Sequence, residues 1–127
     1  AGPISNLILA FLAYFIMYFI YTFIQPLFNN SLHFFFRIFI QINIYLAIFN
    51  LIPIYPLDGG QIFGNIISKY YPNFNQQLFI YGPKILLAMI LIGILSGVSI
   101  ISFILQPFYY LIDGFFRLII SFFFNLF

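Results

Sequence analysis

The sequence predicts an all-α membrane protein: a bundle of three to four transmembrane helices with a Pro/Gly-broken segment from Pro53 to Gly60. Three observations lead there. Of the 127 residues, 65% are hydrophobic and only 5% are charged, whereas a soluble domain carries about 25% charged residues to solvate its surface. The apolar residues form runs of about 20, the length that crosses a hydrocarbon core. Between two of these runs stands Asn50-Leu51-Ile52-Pro53-Ile54-Tyr55-Pro56-Leu57-Asp58-Gly59-Gly60-Gln61-Ile62, which no continuous helix accommodates. The length predicts one domain, 1–127, integral to the membrane and multi-pass.

The first span is expected over about residues 4–24. Pro3 suits the first helical turn, where its missing N–H has no partner to lose, and Gln25-Pro26 ends the run. Asn6, Ala10 and Ala13 lie on one face as a polar, small stripe that admits close helix approach. Asn29-Asn30-Ser31 reads as a turn. The second span covers about residues 32–51, with Asn43, Ala47 and Asn50 forming a matching stripe, so the two spans are expected to pack along these faces. Pro53 and Pro56 disfavour helix in the residues before them. Gly59-Gly60 allows unusual backbone angles, and Gln61 to Lys69 reads as a short helix.

The polar stretch from Tyr70 to Pro83 reads as a surface loop, and the third span as residues 84–105, ended by Gln106-Pro107. Gly93 and Gly97 make a GxxxG pattern, read either as a helix contact or as chance among eight glycines. Residues 108–127 are interrupted by Asp113-Gly114 and Arg117, which favours an interfacial helix over a fourth span.

The rare polar residues limit the chemistry. A net charge of +2 without a basic patch excludes nucleic-acid binding. The absence of cysteine excludes disulfides and thiolate metal sites. His33 and Arg37 read as interfacial residues, Lys69 and Lys84 as membrane anchors. Asp113 and Arg117, spaced i, i+4, read as an ion pair. Asp58 has two readings. It is the N-cap of the following helix, with Gln61 completing a capping box, or it is a carboxylate held at a membrane helix end as a metal ligand.

The run Asn50-x-x-Pro53-x-x-Pro56-Leu57-Asp58-Gly59-Gly60-x-Ile62 resembles the second signature of the site-2 proteases, the peptidase M50 family of intramembrane zinc metalloproteases. Ala1-Gly2-Pro3-x-x-Asn6 resembles the motif that opens the preceding helix in that family. The resemblance implies one zinc ion with Asp58 as its third protein ligand. It implies that Asn50 is a catalytic residue, donating to substrate or oxyanion. Asn6, Pro53 and Tyr55 become substrate-binding positions, the unwound Pro53–Leu57 backbone pairing with an extended, membrane-embedded protein substrate. The family's HExxH motif, with two His ligands and a water-activating Glu, is not present: the chain has one His and no Glu. The sequence is therefore read as the C-terminal part of such a protease, inactive alone, with the other ligands expected on a helix of the same protein upstream of Ala1. The alternative is a non-enzymatic membrane module, a transporter fragment or an inactive protease-like protein that binds membrane segments.

Overall fold

The computed structural model describes residues 2–125. Ala1 of the opening motif and Leu126-Phe127 of the predicted last segment lie outside the described residues. The described chain is helical: α1 (Gly2–Phe23), α2 (Asn30–Leu51), α3 (Asp58–Ile67), α4 (Pro72–Ser96) and α5 (Ile100–Asn125), with a 3-10 turn at Gln25–Leu27. All but α3 are long and apolar enough to span a bilayer. Their outward faces are bare hydrocarbon; Leu95 is 86% and Phe103 77% exposed. Such surface is at rest only in lipid, and the chain is a multi-pass integral membrane protein.

The helix ends follow local chemistry. Pro26 stops α1, and its residues wind into the 3-10 turn. Asn29 caps α2, its Oδ1 accepting the Leu32 N–H at 2.8 Å. Pro53 then ends α2.

Further on, the helices depart from the expected bounds. The stretch read as a loop to Pro83 is helical from Pro72, because Pro72 occupies the first turn, where no N–H is needed. The Asn and Gln residues that suggested a loop are the first turns of α4, and Pro83 lies within it. The third span ends at Ser96 rather than near residue 105. Gly97 adopts φ 72°, and its N–H returns to the Gly93 carbonyl at 3.1 Å. The GxxxG pattern is thus a left-handed helix stop, a conformation that favours glycine. Likewise, Pro107 does not end a span. Helix α5 runs through it, giving a fourth membrane-length helix where an interfacial segment was expected.

The chain forms two compact units, Ala1–Ala47 with Phe108–Phe127, and Ile48–Pro107. In the first, Ala10, Ala13, Ile40, Ile44, Ala47 and Ile120 are buried, so both small-residue stripes are interior faces. Asn43 is buried too, but its amide donates to the Phe39 carbonyl of its own helix at 2.9 Å, not across an interface. Aromatic pairs join α1 to α5: Phe11 meets Phe116 edge-on at 5.4 Å, and Phe15 meets Phe124 at 5.4 Å. Tyr45 of α2 stacks on Tyr109 of α5 at 4.7 Å. Each such pair adds about 0.5–1.5 kcal/mol beyond its burial.

In the second unit, Gly59, Gly60, Gly64 and Gly82 are all buried. Gly59 and Gly60 do not take positive φ. They are small because backbone lies against them: a Cβ on Gly59 would collide with the Leu51 carbonyl, and one on Gly60 with Ile54 and Tyr55. Gly114 has open space around it. Gly60→Ala is therefore expected to destabilise the protein by roughly 1–3 kcal/mol through overpacking, whereas Gly114→Ala is expected to be neutral or stabilising by up to about 1 kcal/mol. Thermal unfolding of both variants in detergent checks the contrast.

Candidate functional site

Between α2 and α3 the chain has too few N–H groups for a helix, since Pro53 and Pro56 lack them. What remains closes tight local turns: Ile54 N–H donates to the Ile52 carbonyl at 2.7 Å and Leu57 N–H to the Ile54 carbonyl at 3.0 Å. The Tyr55–Pro56 peptide is cis. Tyr55 fixes this segment to the helices that follow. Its hydroxyl donates to Asn75 Oδ1 of α4 at 3.2 Å, and its ring meets Phe79 edge-on at 5.2 Å. Gly64 of α3 makes room for the phenol, and a Cβ on Gly82 of α4 would lie 3.1 Å from both the nitrogen and the oxygen of Tyr55. The Tyr55 side chain is thus occupied within the unit, while Pro53 and Pro56 are exposed.

Asn50 stands in the last turn of α2, half-buried. Asp58 is the first residue of α3, also half-buried. Both belong to the Ile48–Pro107 unit; Asn6, half-buried on α1, belongs to the other. The capping reading of Asp58 is corrected. Leu57, extended at φ −69° and ψ 158°, is the N-cap, and no side chain closes the helix start. The Gln61 N–H bonds the Leu57 carbonyl at 3.2 Å instead. Asp58 therefore sits at the positive end of the α3 dipole with no hydrogen-bond or ion-pair partner among the described residues.

A carboxylate in this state is a donor that zinc accepts. It fits as one ligand. Among the described residues no three His, Cys, Asp or Glu side chains gather to hold a metal ion, and a catalytic zinc takes about three protein ligands.

The other carboxylate is in the opposite condition. Asp113 is 6% exposed; its Oδ2 meets Arg117 Nε at 2.9 Å, and Tyr14 donates to its Oδ1. Arg117 Nε also donates to the Tyr14 hydroxyl at 3.2 Å. The expected i, i+4 pair is present. Its third member, Tyr14, was not foreseen, because nothing along the sequence links residues 99 apart. Tyr14→Phe leaves a buried carboxylate with one donor fewer and is expected to lower stability by about 1.5–3 kcal/mol. A denaturation series in detergent, with Tyr18→Phe as the control, measures this.

The family description Peptidase family M50 matches residues 19–93, a stretch that contains Asn50, Pro53, Tyr55 and Asp58 and excludes Asn6. The "Putative zinc metalloprotease YwhC" of Bacillus subtilis (strain 168) is 41% identical over 70 residues, covering 53% of this chain and 32% of that protein. "Zinc metalloprotease MJ0392" of Methanocaldococcus jannaschii is 38% identical over 71 residues, covering 54% of this chain and 21% of its own length. The shared segment thus spans a third or less of either relative. No solved structure matches the chain. With its matched stretch running from α1 through the broken segment into α4, the chain belongs to peptidase family M50.

Proposed function

We propose that this chain is the part of an intramembrane zinc metalloendopeptidase that supplies the aspartate ligand and the substrate-facing backbone. The observation that carries the reading is Asp58: a half-buried carboxylate without a partner, in the first turn of α3, inside the stretch matched by peptidase family M50. In a chain this apolar, an uncompensated ionisable group marks a functional position. Two His ligands and the water-activating Glu come from an HExxH helix of the same protein that is not in these residues. The names of both relatives as zinc metalloproteases support the metal.

Zinc, when bound, supplies Lewis-acid polarisation of a carbonyl and activation of a water. The chain's own residues then have separate tasks. Asp58 holds the ion. Asn50 donates its amide to the oxygen on which charge develops, a contact whose loss costs about 10²–10³ in turnover. The substrate is a membrane-embedded protein segment that must be locally unwound before a peptide bond is exposed. An irregular backbone at Pro53–Leu57 offers such a segment main-chain partners where helical backbone offers none. Tyr55 serves by fixing that backbone, and Pro53 by keeping it out of helix. Asn6 is given a substrate-binding role on its place in the opening motif.

In the full-length protein, Asp58→Asn is expected to abolish cleavage of a membrane substrate and to lower zinc content, with membrane insertion retained. Asn50→Ala is expected to lower turnover by about 100- to 1000-fold at unchanged zinc content. Undiminished cleavage by Asp58→Asn removes Asp58 from the site, and a full-length protein whose zinc content does not depend on Asp58 favours a non-enzymatic membrane module.

A further inference from the structure

In the unit formed by residues 2–47 and 108–125, a cavity of about 210 Å³ is lined by Tyr14, Tyr18, His33, Arg37 and Arg117. Its charge is unbalanced. Asp113 offsets Arg117, but Arg37 is exposed and has no hydrogen-bond or ion-pair partner among the described residues. No acidic side chain lines the cavity. Arg37 lies seven residues into α2, roughly 10 Å along the helix from its start, within the reach of a long side chain toward the headgroup level. A cation at that depth is at low energy when an anion meets it.

A second cavity of about 380 Å³ adjoins the first. Met17, Tyr18 and His33 line both, and Tyr21 and Phe28 complete the second. Its lining is mainly hydrocarbon and aromatic ring. One space carrying cations and hydroxyls, sharing Met17, Tyr18 and His33 with a neighbouring space that is mainly apolar, matches a ligand with an anionic head and a hydrocarbon tail.

We infer that these joined cavities bind one anionic phospholipid, its phosphate between Arg37 and Arg117 with the Tyr18 hydroxyl as a further donor, and an acyl chain against Met17, Tyr21 and Phe28. The apolar limb selects lipid over free phosphate. The lack of a carboxylate in the lining selects an anionic head over a zwitterionic one, whose ammonium finds no counter-charge. The inference does not depend on the peptidase reading, and its readout is binding.

The test is native mass spectrometry of the full-length protein released from mixed phosphatidylglycerol and phosphatidylcholine micelles. The unmutated protein is expected to retain phosphatidylglycerol about fivefold or more over phosphatidylcholine, and Arg37→Gln to lose that preference. Lys84→Gln, which removes a cation from the Ile48–Pro107 unit, is expected to keep it, as is Arg37→Lys in large part. Equal retention of the two lipids by the unmutated protein, an unchanged preference in Arg37→Gln, or an equal loss in Lys84→Gln overturns the site. Displacement of the lipid by millimolar inorganic phosphate overturns the lipid as occupant.

Discussion

The close approach of the Pro-broken segment to the helices after it is the constraint on which the Ile48–Pro107 unit depends. Two prolines remove the N–H groups that would have made residues 52–57 helical. A stretch of irregular backbone in an apolar chain must then be packed against protein, because lipid offers it no hydrogen bonds. The packing is achieved by removing side chains on the opposing side. Gly60 and Gly82 leave space for the Tyr55 backbone, and Gly64 for its phenol, which Asn75 holds at 3.2 Å. Sequence acts here twice: prolines create the irregularity and glycines accommodate it.

The two carboxylates show how differently one residue type is treated within a single apolar chain. Asp113 is surrounded: Arg117 balances its charge and Tyr14 supplies a further donor. Burying a charge is tolerable when it is paired and hydrogen-bonded, and this cluster ties α1 to α5 beside their aromatic contacts. Asp58 is given no such partner, although four cations and many Asn and Gln side chains exist in the chain. It is instead half-buried at a helix start, where the helix dipole favours its charge. A structural carboxylate resembles Asp113. Asp58 lacks that surround, and on this difference the proposed ligand role rests.

Much of this was legible in the sequence. The first two membrane-length helices followed from composition and run length, the end of α2 from Pro53, and the Asp113–Arg117 pair from its i, i+4 spacing. The failures have a common cause, that a residue type was assigned its commonest role. Asn and Gln around residue 75 suggested a loop, yet they form the first turns of α4 with Pro72 at the start. Pro107 suggested a helix end, yet α5 passes through it. Gly59-Gly60 suggested special backbone angles, yet both residues are helical and small for lack of space. Gly97, whose GxxxG pattern reads as a helix contact or as chance, takes a positive φ. Periodicity cannot separate a glycine needed for its angle from one needed for its size; only the neighbouring backbone does. Tyr14 was invisible for the same reason, its partner being distant in sequence.

The division of labour around Pro53–Asp58 carries one further step. Tyr55 has both its side chain and its backbone committed to α3 and α4, while Asp58, three residues on, has its carboxylate uncommitted. The turn closed by the Leu57 N–H on the Ile54 carbonyl lies between them. A functional group is positioned to within a fraction of an ångström only when neighbouring residues lock its backbone. The anchored tyrosine fixes the backbone three residues before Asp58. This accounts for an otherwise odd pairing of features, a tightly packed aromatic residue followed at once by a free charge. Were Asp58 a turn residue alone, the turn would satisfy it with a nearby N–H, as Asn29 is satisfied by Leu32 at the start of α2. The same chain uses a capping side chain at α2 and closes the start of α3 without one.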